Sequence, residues 1–302
     1  YSPDKAHYLE RIRRHRELGS EPVMASGVWS WPHLWHDWQA TKRNAGPCVD
    51  ACREAGLQEI LFTLWADDGA VWELDSSFAG LAYAADKCYG DGVIRLDALA
   101  KRFRAICGSE LAVHQTASRI NEDLPSASVL WDDPLLMMYL RAEPVRRQVR
   151  LCEIERHLLD VALELEPHRE DRAAGDLGHA WLIARTLAAK VGIADRLLHA
   201  YEAKDVGALA GVRDEIPAAI QTLNELSRSF RTLWLARCQP FGLEVLQIRL
   251  AGLVARYREL ADRLGEYLNG SITSIPEVDE GRKGSFLAGT QYRPLVTGAR
   301  VF

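Results

Sequence analysis

Apolar positions recur along this chain in two rhythms, a strand-like one near the start and a helical one through most of the rest. The stretch from His7 to Leu18 is amphipathic and stops at Gly19, a residue suited to a left-handed helix end. Pro22-Val23-Met24-Ala25-Ser26-Gly27-Val28-Trp29 reads as a strand. A helical stretch from about Ala45 to Ala55 ends at Gly56. Glu59-Ile60-Leu61-Phe62-Thr63-Leu64-Trp65 reads as a second strand, almost continuously apolar, and a further helix is expected around Phe78 to Lys87.

Strand–helix–strand–helix predicts parallel strands joined by a right-handed crossover. Continuously apolar strands of this kind are buried on both faces. Two of them make no stable sheet alone, because their outer edges go unpaired. A (β/α)8 barrel takes about 250 residues, whereas the alternating pattern covers only residues 1–110. The chain is therefore expected to carry the tail end of a barrel. The start, Tyr1-Ser2-Pro3-Asp4, is no signal peptide and lacks an initiator Met, which fits processing or truncation.

From Trp131 onward the expectation is helical throughout. Asp133-Pro134 reads as a helix start, a capping carboxylate before a first-turn proline. Arg146 to Leu165 closes before Pro167, Ala180 to Val191 closes at Gly192, and Ile220 to Leu235 precedes Pro240. In the last helix, Leu243, Leu246, Leu250, Leu253, Tyr257, Leu260, Leu264 and Tyr267 alternate steps of three and four and end at Gly270. That stripe suits an antiparallel bundle or the seam of a homodimer, the bundle being the plainer reading. The expected class is thus α/β plus all-α: the C-terminal portion of a (β/α)8 barrel over 1–128, a mainly α-helical domain over 129–270, and a tail over 271–302. That tail is expected to wrap back over the surface, with an extended piece at Pro294 to Val301.

Composition narrows the function. A net charge of −5 leaves no basic footprint for nucleic acid. No apolar run approaches the roughly 20 residues that cross a membrane. Six scattered cysteines (Cys48, Cys52, Cys88, Cys107, Cys152 and Cys238) in so large a chain point to free thiols in a reducing compartment, the cytoplasm. Cys48 and Cys52 share a helix face, but no second pair completes a zinc set. His33, His36 and Asp37 could in principle ligate a metal; a loop packed over the barrel mouth is the simpler reading. No metal or cofactor is expected, and the chain has no Gly-rich phosphate loop or nucleophile elbow.

The chemistry is concentrated early. Of nine tryptophans, six (Trp29, Trp31, Trp35, Trp38, Trp65 and Trp72) precede residue 73. Trp29 and Trp31 follow the first strand and Trp65 ends the second; in a parallel barrel those ends form the active-site face. Indoles there can stack on a sugar ring, or they can simply fill the core. In Thr63-Leu64-Trp65-Ala66-Asp67-Asp68-Gly69-Ala70, two carboxylates follow a buried strand, where desolvation is costly without partners. Asp68-Gly69 alone is ordinary turn chemistry. Asp67 shares a side with Trp65 if the strand continues that far, and an indole with a carboxylate suits a sugar.

Four ordered segments carry a resemblance. Ala25-Ser26-Gly27-Val28-Trp29-Ser30-Trp31 and Thr63-Leu64-Trp65-Ala66-Asp67-Asp68-Gly69-Ala70 resemble the last two barrel strands of a bacterial subgroup of glycoside hydrolase family 20, the β-N-acetylhexosaminidases. Trp131-Asp132-Asp133-Pro134-Leu135-Leu136 and Gln239-Pro240-Phe241-Gly242-Leu243-Glu244-Val245 resemble the junction and last helices of its C-terminal domain. The resemblance implies that Trp65 is a pocket wall, Asp67 a hydroxyl acceptor, Trp29 and Trp31 pocket or rim aromatics, and Tyr1 the end of an aromatic stretch on the preceding strand. It implies glycans ending in N-acetylglucosamine or N-acetylgalactosamine as substrates, with the remainder of the barrel as partner. It also implies substrate-assisted catalysis, in which the sugar's acetamido oxygen attacks the anomeric carbon while an Asp-Glu pair orients and protonates. Asp214-Glu215 and Asp279-Glu280 lack the strand context of that pair, so no catalytic residue is expected here. The alternative is a non-catalytic carbohydrate-binding or helical scaffold protein.

Overall fold

The computed structural model describes residues 1–66 and 71–280 and divides into two compact units. Unit 1 is residues 1–119 with 168–178; unit 2 is residues 120–167 with everything from 179 on.

Unit 1 opens with α1 (Lys5–Glu17), whose first turn is capped by the Asp4 carboxylate on the Ala6 N–H at 2.9 Å. β1 (Met24–Gly27) follows, then α2 (Trp38–Glu54), β2 (Ile60–Thr63) and α3 (Phe78–Tyr89). The expected strand–helix alternation is present, and β1 pairs β2 in parallel, with Ala25 opposite Leu61 and Gly27 opposite Thr63. Alternate side chains divide the pair into two faces. Met24 and Ile60 pack with Tyr8, Ile12, Cys48 and Cys52, and Phe62 packs with Trp38, Tyr83 and Phe103, so helices cover this face. On the other face Leu61 is 56% exposed and Ala25 is also exposed. Among the described residues neither strand has a second strand neighbour.

Beyond α3 come α4 (Leu96–Cys107) and α5 (Leu111–Ser118). α4 ends at Gly108 with φ 73°, the left-handed cap that favours glycine. The 168–178 segment returns to this unit: Ala174 joins the Trp38–Phe103 core, and the Asp171 carboxylate accepts the Ser109 hydroxyl at 2.6 Å.

Unit 2 is helical: α6 (Ser126–Trp131), α7 (Met138–Arg147), α8 (Leu151–Leu165), α9 (Leu177–Glu202, from His179 on), α10 (Val206–Arg237), α11 (Leu243–Leu268) and the short α12 (Pro276–Asp279). The chain is mostly helical, as expected of a helical C-terminal domain. No helix among the described residues is long and apolar enough to cross a membrane. Residues 281–302, including the expected extended piece at 294–301, lie outside the described residues.

Sequence expectations change at Gly192 and at Asp133, and the last stripe takes the plainer of its two readings. The helix expected to close at Gly192 runs on to Glu202, because Gly192 serves close approach: a Cβ there would lie 1.9 Å from Glu155 Oε1. Glu155 on α8 and Glu215 on α10 both bind Arg196 on α9, at 3.0 and 2.7 Å. Asp133 does cap a turn, accepting the Leu135 and Leu136 N–H groups at 2.9 and 3.0 Å, but the helix proper starts at Met138. The Leu243–Tyr267 stripe is consumed inside the chain: Leu243, Leu246, Leu250, Leu253, Tyr257, Leu260 and Leu264 are all buried, and α11 lies along α10. It serves as a bundle seam, the plainer of the two expected readings.

The centre of unit 2 is polar. The Asp132 carboxylate accepts N–H bonds from Tyr139 and Leu140, and its backbone carbonyl accepts from Lys190 Nζ at 2.9 Å. The neighbouring Asp133 is held by Arg256 Nε at 2.6 Å. Lys190 is 2% exposed, and its ammonium lies 5.1 Å from the Tyr257 ring centre. Burial pushes its pKa from 10.5 down to about 8, against the opposing pull of Asp132 and Asp133. The folded protein therefore gives up this proton before the unfolded chain does. We predict that stability gains from this residue as pH rises from about 8 to 10.5, on the order of 3 kcal/mol at ~1.36 kcal/mol per pKa unit. Lys190→Met should flatten that part of the unfolding free energy against pH; an unchanged slope would show that the ammonium is solvated.

Candidate functional site

The two strands end side by side, and their last residues turn into a common corner. After β1, the Val28 N–H donates to the Thr63 carbonyl at 3.0 Å, which extends the parallel ladder by one bond. The chain is then held by the Trp29 N–H on Thr41 Oγ1 at 2.8 Å and by the Asp37 N–H on the Trp29 carbonyl at 2.8 Å. After β2, the Trp65 carbonyl accepts the Ser30 hydroxyl at 3.0 Å. These bonds bring the two post-strand segments together.

Four of the five residues expected at the site meet here. The Trp29 and Trp31 rings stack with centroids 4.3 Å apart and planes 20° apart. Tyr1 lies against both, at 5.7 Å from Trp29 and 5.2 Å from Trp31. Trp65 Nε1 donates to the Tyr1 hydroxyl, and that hydroxyl also bonds Thr63 Oγ1 at 2.6 Å. Trp65 stays 47% exposed and Tyr1 49%, so both offer open aromatic surface. The fifth residue, Asp67, lies outside the described residues together with Asp68, Gly69 and Ala70.

Thr63 was missed as a site residue, although it stands in the motif quoted above. Its hydroxyl sits between the Tyr1 hydroxyl and the Ser26 carbonyl, the latter at 3.2 Å, and ties the aromatic corner to the sheet. Nothing in the strand pattern distinguishes such a hydroxyl from an ordinary β-branched strand residue. Gly27 has a comparable hidden role: a Cβ there would lie 2.5 Å from Trp31 Cη2, so the corner closes only over a bare backbone.

The remaining early aromatics divide differently. Trp35 and Trp38 are buried and belong to the core, the commoner fate of an indole. The loop from Trp31 to Asp37 is packed inward. His36 is 1% exposed, its Nε2 2.8 Å from Thr41 Oγ1, and burial pushes its pKa down to about 3. His114, beside Trp35 and Phe103, is likewise held neutral, near 4, by burial. His33 Nε2 lies 3.5 Å from Asp37 Oδ2. Among the described residues no group of three or more His, Cys, Asp or Glu stands where it could hold a metal ion.

The other acidic pairs have structural surroundings. Asp214-Glu215 lies on α10, with Glu215 bound to Arg196 and Asp214 exposed. Asp279 ends α12 and Glu280 caps it.

A sequence model described as the glycoside hydrolase 20C C-terminal domain matches residues 101–285. The chain belongs to that family. The match covers more than half of the chain, from within α4 to just past α12, and takes in all of α6 to α11. A search of curated proteins finds none that matches this chain. Membership makes the chain kin to glycoside hydrolases of the hexosaminidase type, whose substrates are hexosamine-bearing glycans. The aromatic corner precedes the matched residues, so its assignment rests on geometry.

The corner itself is testable. In this family 20C chain, Gly27→Ala is expected to push Trp31 off Trp29 and to cost about 1–3 kcal/mol, the usual penalty of overpacking. Near-ultraviolet circular dichroism should lose part of its tryptophan signal. A variant with the parent spectrum and stability would show that the rings accommodate the methyl group and are not locked.

Proposed function

We propose that this chain is the closing part of an exo-acting β-N-acetylhexosaminidase, in which β1 and β2 are the last two strands of a (β/α)8 barrel. The observation that carries the reading is the convergence of Tyr1, Trp29, Trp31 and Trp65 at the ends of two parallel strands, in a chain whose helical half is a family 20C domain. Strand ends of this polarity form the active-site mouth of a (β/α)8 barrel.

In this reading the open face of Trp65 stacks on the terminal N-acetylhexosamine, and the Asp67 carboxylate accepts hydrogen bonds from its hydroxyls. Trp29, Trp31 and Tyr1 back the wall and keep water from its inner side. The proton-transfer pair comes from an earlier strand of the barrel. The sugar's acetamido oxygen attacks the anomeric carbon while a Glu protonates the departing oxygen, and water then completes hydrolysis with retained configuration, the substrate-assisted exception to the two-carboxylate scheme. This chain's contribution is recognition: it fixes the sugar ring so that the acetamido group reaches the anomeric carbon. No cofactor is invoked. The six free thiols support a reducing compartment, such as the cytoplasm, as its location.

For the complete enzyme acting on a chromogenic N-acetylglucosaminide, Asp67→Ala should lower kcat/KM by roughly 10- to 100-fold, the size of one lost hydrogen bond to a charged group. Unchanged kinetic constants would reduce Asp67 to a turn residue. A complete protein that turns over no such substrate would favour the non-catalytic scaffold.

A further inference from the structure

Trp65 is held at two points. Its backbone carbonyl accepts the hydroxyl of Ser30, a fully buried residue, at 3.0 Å. Its indole Nε1–H donates to the Tyr1 hydroxyl. An exposed side chain keeps several rotamers unless contacts of this kind select one. The second contact is also the more demanding, because Tyr1 is itself half exposed and needs a partner to stay in place. That partner is Thr63, whose Oγ1 lies 2.6 Å from the Tyr1 hydroxyl.

Counting protons fixes the direction of these bonds. Thr63 has one hydroxyl proton and donates it to the Ser26 carbonyl at 3.2 Å. Toward Tyr1 it therefore accepts, and the Tyr1 phenol is the donor. The Tyr1 oxygen in turn accepts from Trp65. The bonds run from Trp65 to Tyr1 to Thr63 to Ser26, and bonds in such a series strengthen one another. The far end is fixed, since Ser26 is fully buried and paired in register with Phe62. For β2 alone a valine would serve as well, with the same branched shape and no hydroxyl. The hydroxyl of Thr63 is explained by the series and not by the strand.

We propose, building on the reading of this corner as a sugar wall, that Thr63 is a positioning residue for substrate recognition. Its hydroxyl orients the Tyr1 phenol and, through it, sets the plane of the Trp65 indole on which the terminal sugar stacks. Thr63 acts without touching the sugar. An indole fixed before the ligand arrives spares the binding step the cost of ordering it. A ring face used alike by the bound substrate and the transition state contributes to KM and leaves kcat alone.

The test uses the complete protein and a chromogenic N-acetylglucosaminide. Thr63→Val keeps the shape and removes the hydroxyl; KM is expected to rise roughly 3- to 10-fold, the size of one lost neutral hydrogen bond, with kcat within about twofold of the parent. Thr63→Ser restores the hydroxyl and should return KM to within about twofold of the parent. In a Tyr1→Phe background Thr63 has lost the group it orients, so adding Thr63→Val should change KM by less than about twofold. Four results would each overturn the proposal: a parent-like KM in Thr63→Val, a fall in kcat at unchanged KM, no rescue by serine, or the same rise in KM with and without the Tyr1 hydroxyl. A parent protein that turns over no such substrate would instead sink the sugar-wall reading itself, and the role of Thr63 with it.

Discussion

The constraint on which the rest depends is that two parallel strands cannot satisfy their own edges. β1 and β2 share one ladder, and helices cover one face through Met24, Ile60 and Phe62. The opposite face shows Ala25 and Leu61 to solvent. A strand edge without a partner leaves N–H and C=O groups to water or to another strand. The same polarity sets the strand ends together, so the positions of Trp29, Trp31 and Trp65 follow from the ladder, and Tyr1 joins them through its hydroxyl.

The helical half obeys a different rule. Its core is organised around buried charge: Asp132 and Asp133 bind backbone N–H groups, Lys190 and Arg256. Removing one partner from such a set is costly because the other charges stay buried, which makes the junction sequence from Trp131 to Leu136 hard to vary. The Arg249 guanidinium stacks 3.9 Å over the Trp131 ring and extends the same region. α10 and α11 pack along each other with largely apolar buried residues, Leu223 and Leu226 on one and Leu250 and Leu253 on the other among them.

Much of this was legible in the sequence, for identifiable reasons. The strands, the helices flanking them and α11 were readable because apolar periodicity there is undisturbed by function. The aromatic corner was readable because three indoles fall at strand ends. The continuation of α9 through Gly192 was not, since a glycine kept for the approach of Glu155 looks like one that ends a helix. α10 likewise runs from Val206 through Pro217, where local propensity argues for a break and tertiary packing overrides it. The helices α4 to α6 are short and were not separately distinguished. The roles of Thr63 and Gly27 were hidden because both act through what they touch across the sheet, at separations that no local pattern records.

The family makes the chain kin to hexosaminidase-type glycoside hydrolases, and the aromatic corner is the place proposed to hold the sugar. That claim is tested most directly by titrating the complete protein with N-acetylglucosamine and following tryptophan fluorescence, for the parent and for Trp65→Ala. Trp65 is half exposed, so its removal should leave the fold intact, which circular dichroism verifies. The account predicts a saturable change in emission, with binding at least about tenfold weaker in the variant, or roughly 1.4 kcal/mol. Equal affinity in the two proteins would contradict it.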